Sequence, residues 1–191
     1  EDLKQGDQQR GYQLTEFKQD KKVLLVMGGS LGSKKLNDAI RENLEALLHQ
    51  YQVIHLTGKG LVDDSIKKEG YVQFEFVKDD LTDLLAITDT VVSRAGSNAI
   101  YEFLTLRIPI LLIPLGLDQS RGDQIDNAKN FESKGYGKAI PEDELTQVRL
   151  LEELNHIETN REDIIKQMQT YKESYTKEDL FDKIINDALD N

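Results

Sequence analysis

The chain has 191 residues, of which 31% are charged and 38% are hydrophobic, so it is long enough to bury a core and has a globular composition. Its formal net charge of −11 argues against binding of nucleic acid, and against contact of this segment with an anionic membrane surface, because Lys and Arg bind both. Cysteine is absent, which excludes disulfides and thiolate metal sites. No apolar run approaches the roughly 20 residues of a membrane-spanning helix. The chain opens on Glu1-Asp2 rather than Met, and we expect it to be part of a longer protein.

Residues 1–20 are polar, and we interpret them as a linker that docks loosely on a domain formed by residues 21–191. Short apolar runs, typical of strands buried on both faces, predict strands at 23–27, 52–56, 71–76, 90–93 and 110–113, with a weaker one near 136–140. Helical periodicity predicts helices at 33–49, 62–69, 81–88, 97–106, 123–134, 144–157, 162–171 and 177–189. This alternation predicts an α/β fold: an open, parallel, Rossmann-like sheet of about six strands with helices on both faces and extra helices at the C-terminal end.

A glycine-rich turn, Gly28-Gly29-Ser30-Leu31-Gly32-Ser33, follows the first predicted strand. In an open parallel sheet, ligands bind beyond the carboxyl ends of the strands, where this turn lies. Glycine lets the main chain approach a ligand closely, so we predict that Gly29, Ser30 and the first amides of the following helix contact phosphate. The turn is neither G-x-G-x-x-G nor a Walker A loop. The alternative is that its glycines serve only helix–strand packing.

The same turn matches G-x-S-x-G, the nucleophile elbow of serine hydrolases, in which Ser30 would be the nucleophile. That chemistry also needs an acid and a histidine on later loops. All three histidines, His49, His55 and His156, lie inside predicted helices or strands and look structural. A serine hydrolase therefore stays a less favoured alternative.

A second turn, Ser93-Arg94-Ala95-Gly96-Ser97-Asn98, follows the fourth predicted strand and leads into a helix. Gly96 makes the turn, and Ser97 is a suitable N-cap. Asn98 and Glu102 are four residues apart and share a helical face, where a carboxylate could accept hydrogen bonds from the hydroxyls of a ribose. The alternative is that Glu102 is an exposed helix residue paired with a cation.

A third polar loop, residues 114–128, follows the fifth predicted strand. Asp123, Gln124 and Asn127 are placed there to hydrogen-bond sugar hydroxyls. Polar loops are common, so this loop alone indicates little.

Four segments together, 27–33, 76–81, 93–102 and 109–128, resemble the C-terminal half of GT-B glycosyltransferases, and above all the MurG-type family of bacterial peptidoglycan N-acetylglucosaminyltransferases. Members transfer N-acetylglucosamine from UDP-N-acetylglucosamine to the muramyl sugar of a lipid-linked precursor at the cytoplasmic face of the membrane. The resemblance implies that Ser30 contacts phosphate or sugar and that the main chain at Lys78 contacts uracil. It implies that the diphosphate is bound by the turn of Arg94, Gly96, Ser97 and Asn98. It also implies that Glu102 contacts the ribose and that Asp123 and Gln124 both contact the N-acetylglucosamine. Many members have His where this chain has Asp123.

The resemblance also implies that the lipid-linked acceptor and the general base belong to an N-terminal domain outside this chain. This chain would then stabilise the departing UDP through helix N-termini and Arg94. No Asp-x-Asp occurs, so we expect neither a metal site of that type nor a cofactor. We expect the chain to bind UDP-N-acetylglucosamine without turning it over. The alternatives left open are a donor-binding subunit of a split GT-B enzyme and half of a UDP-sugar epimerase.

Overall fold

The computed structural model describes residues 6–29, 32–117 and 122–174. Six parallel strands form one sheet in the order β3-β2-β1-β4-β5-β6. The strands are β1 Lys22–Met27, β2 Tyr51–Leu56, β3 Tyr71–Phe74, β4 Thr90–Ser93, β5 Ile110–Leu112 and β6 Gly137–Ala139. The helices are α1 Gln8–Thr15, α2 Lys34–Glu42, α3 Leu44–Gln50, α4 Leu81–Ala86, α5 Ser97–Leu106, α6 Asp123–Ser133, α7 Gln147–Thr159 and α8 Arg161–Ser174, with a short 3-10 helix at Glu142–Glu144. The predicted α/β fold with a parallel sheet is confirmed.

The strand order reverses between β1 and β4, which lie side by side at the middle of the sheet with Met27 opposite Ser93. From β1 the chain proceeds to β2 and β3 on one side, and from β4 to β5 and β6 on the other. Connections leaving β1 and β4 therefore diverge, and a crevice opens at their carboxyl ends. The central strands are apolar because both faces are covered, and Val23, Leu24, Leu25 and Val26 are fully buried.

Helix α1 lies within residues 1–20, where the sequence analysis predicted no helix. Asp7 caps it by accepting hydrogen bonds from the amides of Gln9 and Arg10. The helix packs on α4 at Gly11, where a Cβ would lie 2.4 Å from the carbonyl oxygen of Asp83. The amide of Asp7 donates to the Asp83 carboxylate at 2.7 Å. The described part of this segment is thus packed against the domain by specific contacts.

Two helix predictions were wrong in detail. Residues 62–69 form turns rather than a helix, since the Gln73 amide bonds both main-chain groups of Asp63 and Arg41 donates to the carbonyl of Leu61. The predicted helix at 33–49 is divided at Asn43, whose side chain donates to the carbonyl of Ala39 at 2.8 Å. Such side-chain bonds compete with the helical hydrogen-bond ladder. The helix predicted at 177–189 lies outside the described residues.

A partly buried polar cluster joins the amino ends of three strands to the α7–α8 corner. The Glu158 carboxylate accepts hydrogen bonds from the hydroxyls of Tyr51 and Thr90, both at 2.9 Å, and from Arg161 at 2.6 Å, and it also pairs with Lys22. Burial raises the pKa of Glu158, but the bonds from Arg161, Lys22 and Thr90 outweigh it and lower the pKa to about 2. This cluster lies at the end of the sheet opposite the crevice.

No helix among the described residues has the length and hydropathy needed to span a bilayer.

We predict that Glu158→Gln lowers the free energy of unfolding by about 1.5–3 kcal/mol at neutral pH, the range for hydrogen bonds to charged groups. Because the folded-state pKa lies below the usual value of 4.5, this stabilisation is complete above pH 4.5 and is lost as the pH falls towards 2. Urea unfolding across this pH range measures both effects. Glu152→Gln on the exposed face of α7 is the control; equal losses in the two variants would contradict the prediction.

Candidate functional site

A cavity of about 610 Å³ lies at the carboxyl ends of β1 and β4, where the strand order reverses. This size suits a small-molecule ligand. Its walls come from the turn after β1, the turn after β4, the loop after β5 and the 3-10 helix beyond β6. The lining residues are Met27, Gly28, Gly29, Gly32, Ser33, Lys34, Lys35, Ser93, Arg94, Gly96, Ala99, Leu115, Gln124 and Glu142.

The glycines of the first turn have different tasks. Gly29 has a φ of 86° and lines the cavity, with open space where a side chain would stand. Gly32 has a φ of 75°, and a Cβ there would lie 2.2 Å from the carbonyl oxygen of Thr57. A Cβ on Gly28 would lie 2.7 Å from the amide nitrogen of Ser33. Packing therefore requires Gly28 and Gly32, whereas Gly29 keeps the cavity wall bare. Ser30 lies outside the described residues.

The second turn ends in a helix start without a side-chain cap. Gly96, not Ser97, is the N-cap of α5, so the predicted cap position was wrong by one residue. Gly96 has no side chain to accept hydrogen bonds from the first amides of the helix. The Ser97 hydroxyl instead accepts a hydrogen bond from Asn127 at 3.2 Å, and Asn127 also donates to the carbonyl of Ala95 at 3.0 Å. Asn127 thus holds the turn, while the first turn of α5 faces the cavity at Gly96 and Ala99.

Arg94 lies in the floor of the cavity, but its charge is already paired. The guanidinium contacts the Glu142 carboxylate, donates to the Ser33 hydroxyl at 2.6 Å and donates to the carbonyl of Ile113 at 3.1 Å. Arg94 and Glu142 are each only 7% exposed. Arg94 therefore joins the segments that follow β1, β5 and β6. Glu142 was not predicted as a site residue, because no local sequence pattern pairs residues 48 positions apart.

Glu102 and Asn98 lie on α5 beside the cavity but do not line it. Asn98 is exposed at the second position of the helix, and Glu102 follows one turn later, half-buried. Among the described residues, Glu102 has no hydrogen-bond or ion-pair partner. The described part of the chain thus offers Glu102 no cation partner, contrary to the alternative of a cation-paired helix residue. Glu102 is on the helix face that begins at the cavity wall, with Ala99 one turn before it.

Two residues of the third loop have different surroundings. Gln124 lines the cavity, and its Oε1 accepts a hydrogen bond from the amide of Leu115 at 3.1 Å. That bond leaves the Gln124 NH₂ group as its donor for a ligand. Asp123 is the exposed first residue of α6 and does not line the cavity.

Lys78 lies apart from the main cavity, in the loop between β3 and α4. It borders a groove of about 350 Å³ that also contains Leu14, Phe74 and Val77. Phe76, two residues before it, is 66% exposed beside this groove. The expected uracil contact at Lys78 would therefore be made at a second depression rather than in the main cavity.

None of the three histidines lines the cavity. His55 is buried in β2, where Nε2 contacts the Asn37 side-chain oxygen at 2.9 Å and Nδ1 contacts the Tyr71 hydroxyl at 2.8 Å. Burial, with a contribution from Arg41, lowers its pKa to about 3, so the ring is neutral. His49 and His156 are exposed on helices. A Ser30-based hydrolase thus has no histidine in this cavity. Within 6–29, 32–117 and 122–174, no three His, Asp or Glu side chains are grouped as a metal site.

Comparison with a model of the glycosyltransferase family 28 C-terminal domain gives a match over residues 23–184. The chain is 84% identical over 189 residues to a protein of Staphylococcus epidermidis named UDP-N-acetylglucosamine–N-acetylmuramyl-(pentapeptide) pyrophosphoryl-undecaprenol N-acetylglucosamine transferase. It is 73% identical to the protein of that name from Staphylococcus aureus. Each match covers 99% of this chain but 53% of the relative, so the chain spans about half the length of these relatives.

Solved structures show the same fold at low identity. The crystal structure of MurG from Acinetobacter baumannii matches with a TM-score of 0.65 and 22% identity, over 87% of this chain and 48% of that one. A glycosyltransferase of kitacinnamycin matches with a TM-score of 0.67 and 20% identity, over 87% of this chain and 40% of that one. At these identities the likeness concerns the fold alone.

The different surroundings of Gly29 and Gly32 predict different effects of substitution on stability. We expect Gly29→Ala to cost about 1–2 kcal/mol, since only its left-handed main-chain conformation opposes a side chain. Gly32→Ala has the same conformational cost and must also displace the main chain at Thr57, so we expect a larger loss. Denaturant unfolding of the two variants measures the difference. Equal losses would show that the contact with Thr57 is not a packing constraint.

Proposed function

This chain belongs to glycosyltransferase family 28, and we propose that it is the donor-binding half of an N-acetylglucosaminyltransferase, with UDP-N-acetylglucosamine as its ligand. The observation that carries the proposal is the cavity between the ends of β1 and β4, which is walled by glycine turns and the uncapped start of α5. Main-chain amides at such a helix start bind phosphate, helped by the helix dipole. This explains how a chain of net charge −11 can hold an anionic ligand.

We assign the diphosphate to the amides of the two turns, at Gly29 and Gly96 and at the first residues of α5, Ser97 and Asn98. Ser30 is proposed to contact the phosphate or the sugar from the first turn. The bare wall at Gly29 supports this assignment, because a ligand can approach the main chain there. Arg94 supports the site by holding its walls rather than by contributing an unpaired charge.

The sugars and the base are assigned around this diphosphate position. Glu102, half-buried and unpaired within the described residues, is proposed to accept hydrogen bonds from the ribose. The Gln124 NH₂ group is proposed to donate to an oxygen of the N-acetylglucosamine, with Asp123 at the rim. The main chain beside Lys78 is proposed to contact uracil, since the groove there offers apolar side chains for a base.

The whole protein is proposed to transfer N-acetylglucosamine, with inversion, to the lipid-linked muramyl pentapeptide that the relatives' name describes. This chain, with residues 21–191 as its donor-binding domain, stabilises the departing UDP through main-chain amides. The acceptor site, the general base and the contact with the inner face of the membrane are assigned to the part of the relatives that this chain does not cover. On this division of labour, the chain binds donor but does not transfer it.

Calorimetric titration of the chain with four sugar nucleotides tests the proposal. We expect saturable binding that is tightest for UDP-N-acetylglucosamine, weaker for UDP-glucose and UDP-N-acetylgalactosamine, and absent for GDP-mannose. No binding, or equal binding of all four, would contradict a UDP-N-acetylglucosamine site. Labelling of Ser30 by a fluorophosphonate would support the hydrolase instead, and transfer to a lipid acceptor by this chain alone would refute the division of labour.

We predict that Glu102→Ala weakens binding of UDP by about 1–3 kcal/mol, roughly 5- to 150-fold in Kd, because the ribose hydroxyls lose their acceptor. The dideoxy analogue of UDP, which lacks both hydroxyls, should bind the variant and the unaltered chain equally. Glu45→Ala, on the exposed side of α3, is the matched control for the loss of one acid. An unchanged isotherm for UDP would show that Glu102 does not contact the ribose.

A further inference from the structure

The floor of the cavity contains a buried ion pair, Arg94 with Glu142, that the proposed contacts to the ligand do not use. Both Nη2–H groups of Arg94 are engaged, one with Glu142 and one with Ser33, and Nη1 donates to Ile113. Nε of Arg94 is buried and has no hydrogen-bond partner in the described part of the chain. The guanidinium is thus held in place by three partners, and only one of them, Glu142, is charged.

The charge of Glu142 affects any anion in the cavity. Arg94 by itself would attract a diphosphate strongly, since charges interact far more strongly in a buried floor than in water. The negative charge of Glu142 opposes that attraction. Among the described residues, the other cations that line the cavity are the exposed Lys34 and Lys35 of α2, and Lys34 is already paired with Asp38 at 2.6 Å. An acid in the floor of an anion site is unfavourable for binding, so its presence calls for another role.

We propose that Glu142 sets the affinity of the donor site by neutralising Arg94, and that it lowers the affinity for UDP more than that for the UDP-sugar. This inference rests on the proposed function. Free UDP has a terminal phosphate whose second ionisation, near pH 6, adds negative charge that a UDP-sugar lacks. An unneutralised arginine would therefore favour the product over the donor. Glu142 is an affinity-setting residue that acts through Arg94 and favours release of the product.

Glu142→Gln tests this inference, because glutamine keeps an oxygen that can accept from Arg94 but removes the charge. We expect UDP to bind this variant about three- to thirtyfold more tightly than the unaltered chain, the size of effect that one uncompensated charge gives at this range. The gain for UDP-N-acetylglucosamine should be smaller, so the ratio of the two Kd values changes. A merely structural role for Glu142 would not move that ratio.

Two controls separate charge from other causes. Glu144→Gln removes an acid from the same 3-10 helix, where Glu144 pairs with Arg149 outside the cavity, and should leave the Kd for UDP within about twofold of the original, as exposed pairs contribute little. Uridine, which has no phosphate, should bind all variants equally.

The double variant Arg94→Gln with Glu142→Gln removes both charges and keeps the floor neutral. We expect it to lose the tighter binding of UDP that Glu142→Gln gains, because that gain comes from the charge of Arg94. If the double variant keeps the gain, the charge of Arg94 is not its cause, and the inference is wrong. Equal or weaker binding of UDP by Glu142→Gln, relative to Glu144→Gln, would also overturn it.

The stability of the single variant gives a second measurement. Removing one partner of a buried ion pair is destabilising, since the other charge stays buried and uncompensated. If Glu142→Gln is unfolded in buffer, UDP should refold it by compensating Arg94, and uridine at the same concentration should stabilise it less. Failure of UDP to refold it would contradict the inference. Failure of the unaltered chain to bind UDP or the UDP-sugar would instead refute the proposed function.

Discussion

The reversal of strand order between β1 and β4 is the constraint on which the site depends. Two neighbouring parallel strands end side by side at Met27 and Ser93, and the connections that follow them diverge. The sheet therefore leaves a space that no strand covers, and two helix starts border it. Main-chain N–H groups are concentrated there because the first turn of a helix has no internal partners for them. Glycine at both turns keeps side chains from filling the space.

The two ends of the sheet use charge in different ways. At the amino ends of the strands, Glu158 accepts bonds from several donors, and the result is a structural joint between the sheet and the α7–α8 corner. At the carboxyl ends, Arg94 and Glu142 also form a buried pair, but that pair lines a cavity. The pair orders the walls, and on the proposed function the recognition of the anionic ligand falls to main-chain dipoles. An acidic protein can bind an anionic ligand in this way because dipoles act locally, whereas net charge acts at long range.

Several features of the site follow from residues that are near one another in the chain. Gly29 and Gly96 follow buried strands directly, so their place at the ligand edge of a parallel sheet was predictable from the order of the elements. Gln124 was identified in the same way, and it lines the cavity. Asp123 was grouped with it, but this first residue of α6 is exposed and does not line the cavity. Successive side chains at the start of a helix differ in direction by about 100°, and a sequence pattern does not show which of two neighbours faces the cavity.

The fold class, the strands and the two glycine turns could all be predicted, because they depend on hydrophobic periodicity and on the main-chain freedom of glycine. The partners of the polar side chains could not be predicted, because they come together only in the folded chain. Arg94 is paired because Glu142 is brought to it from beyond β6. Residues 62–69 are not helical because Gln73 bonds both main-chain groups of Asp63 and Arg41 bonds the carbonyl of the preceding Leu61. Both outcomes depend on partners distant in the chain, whose proximity exists only after the sheet has formed.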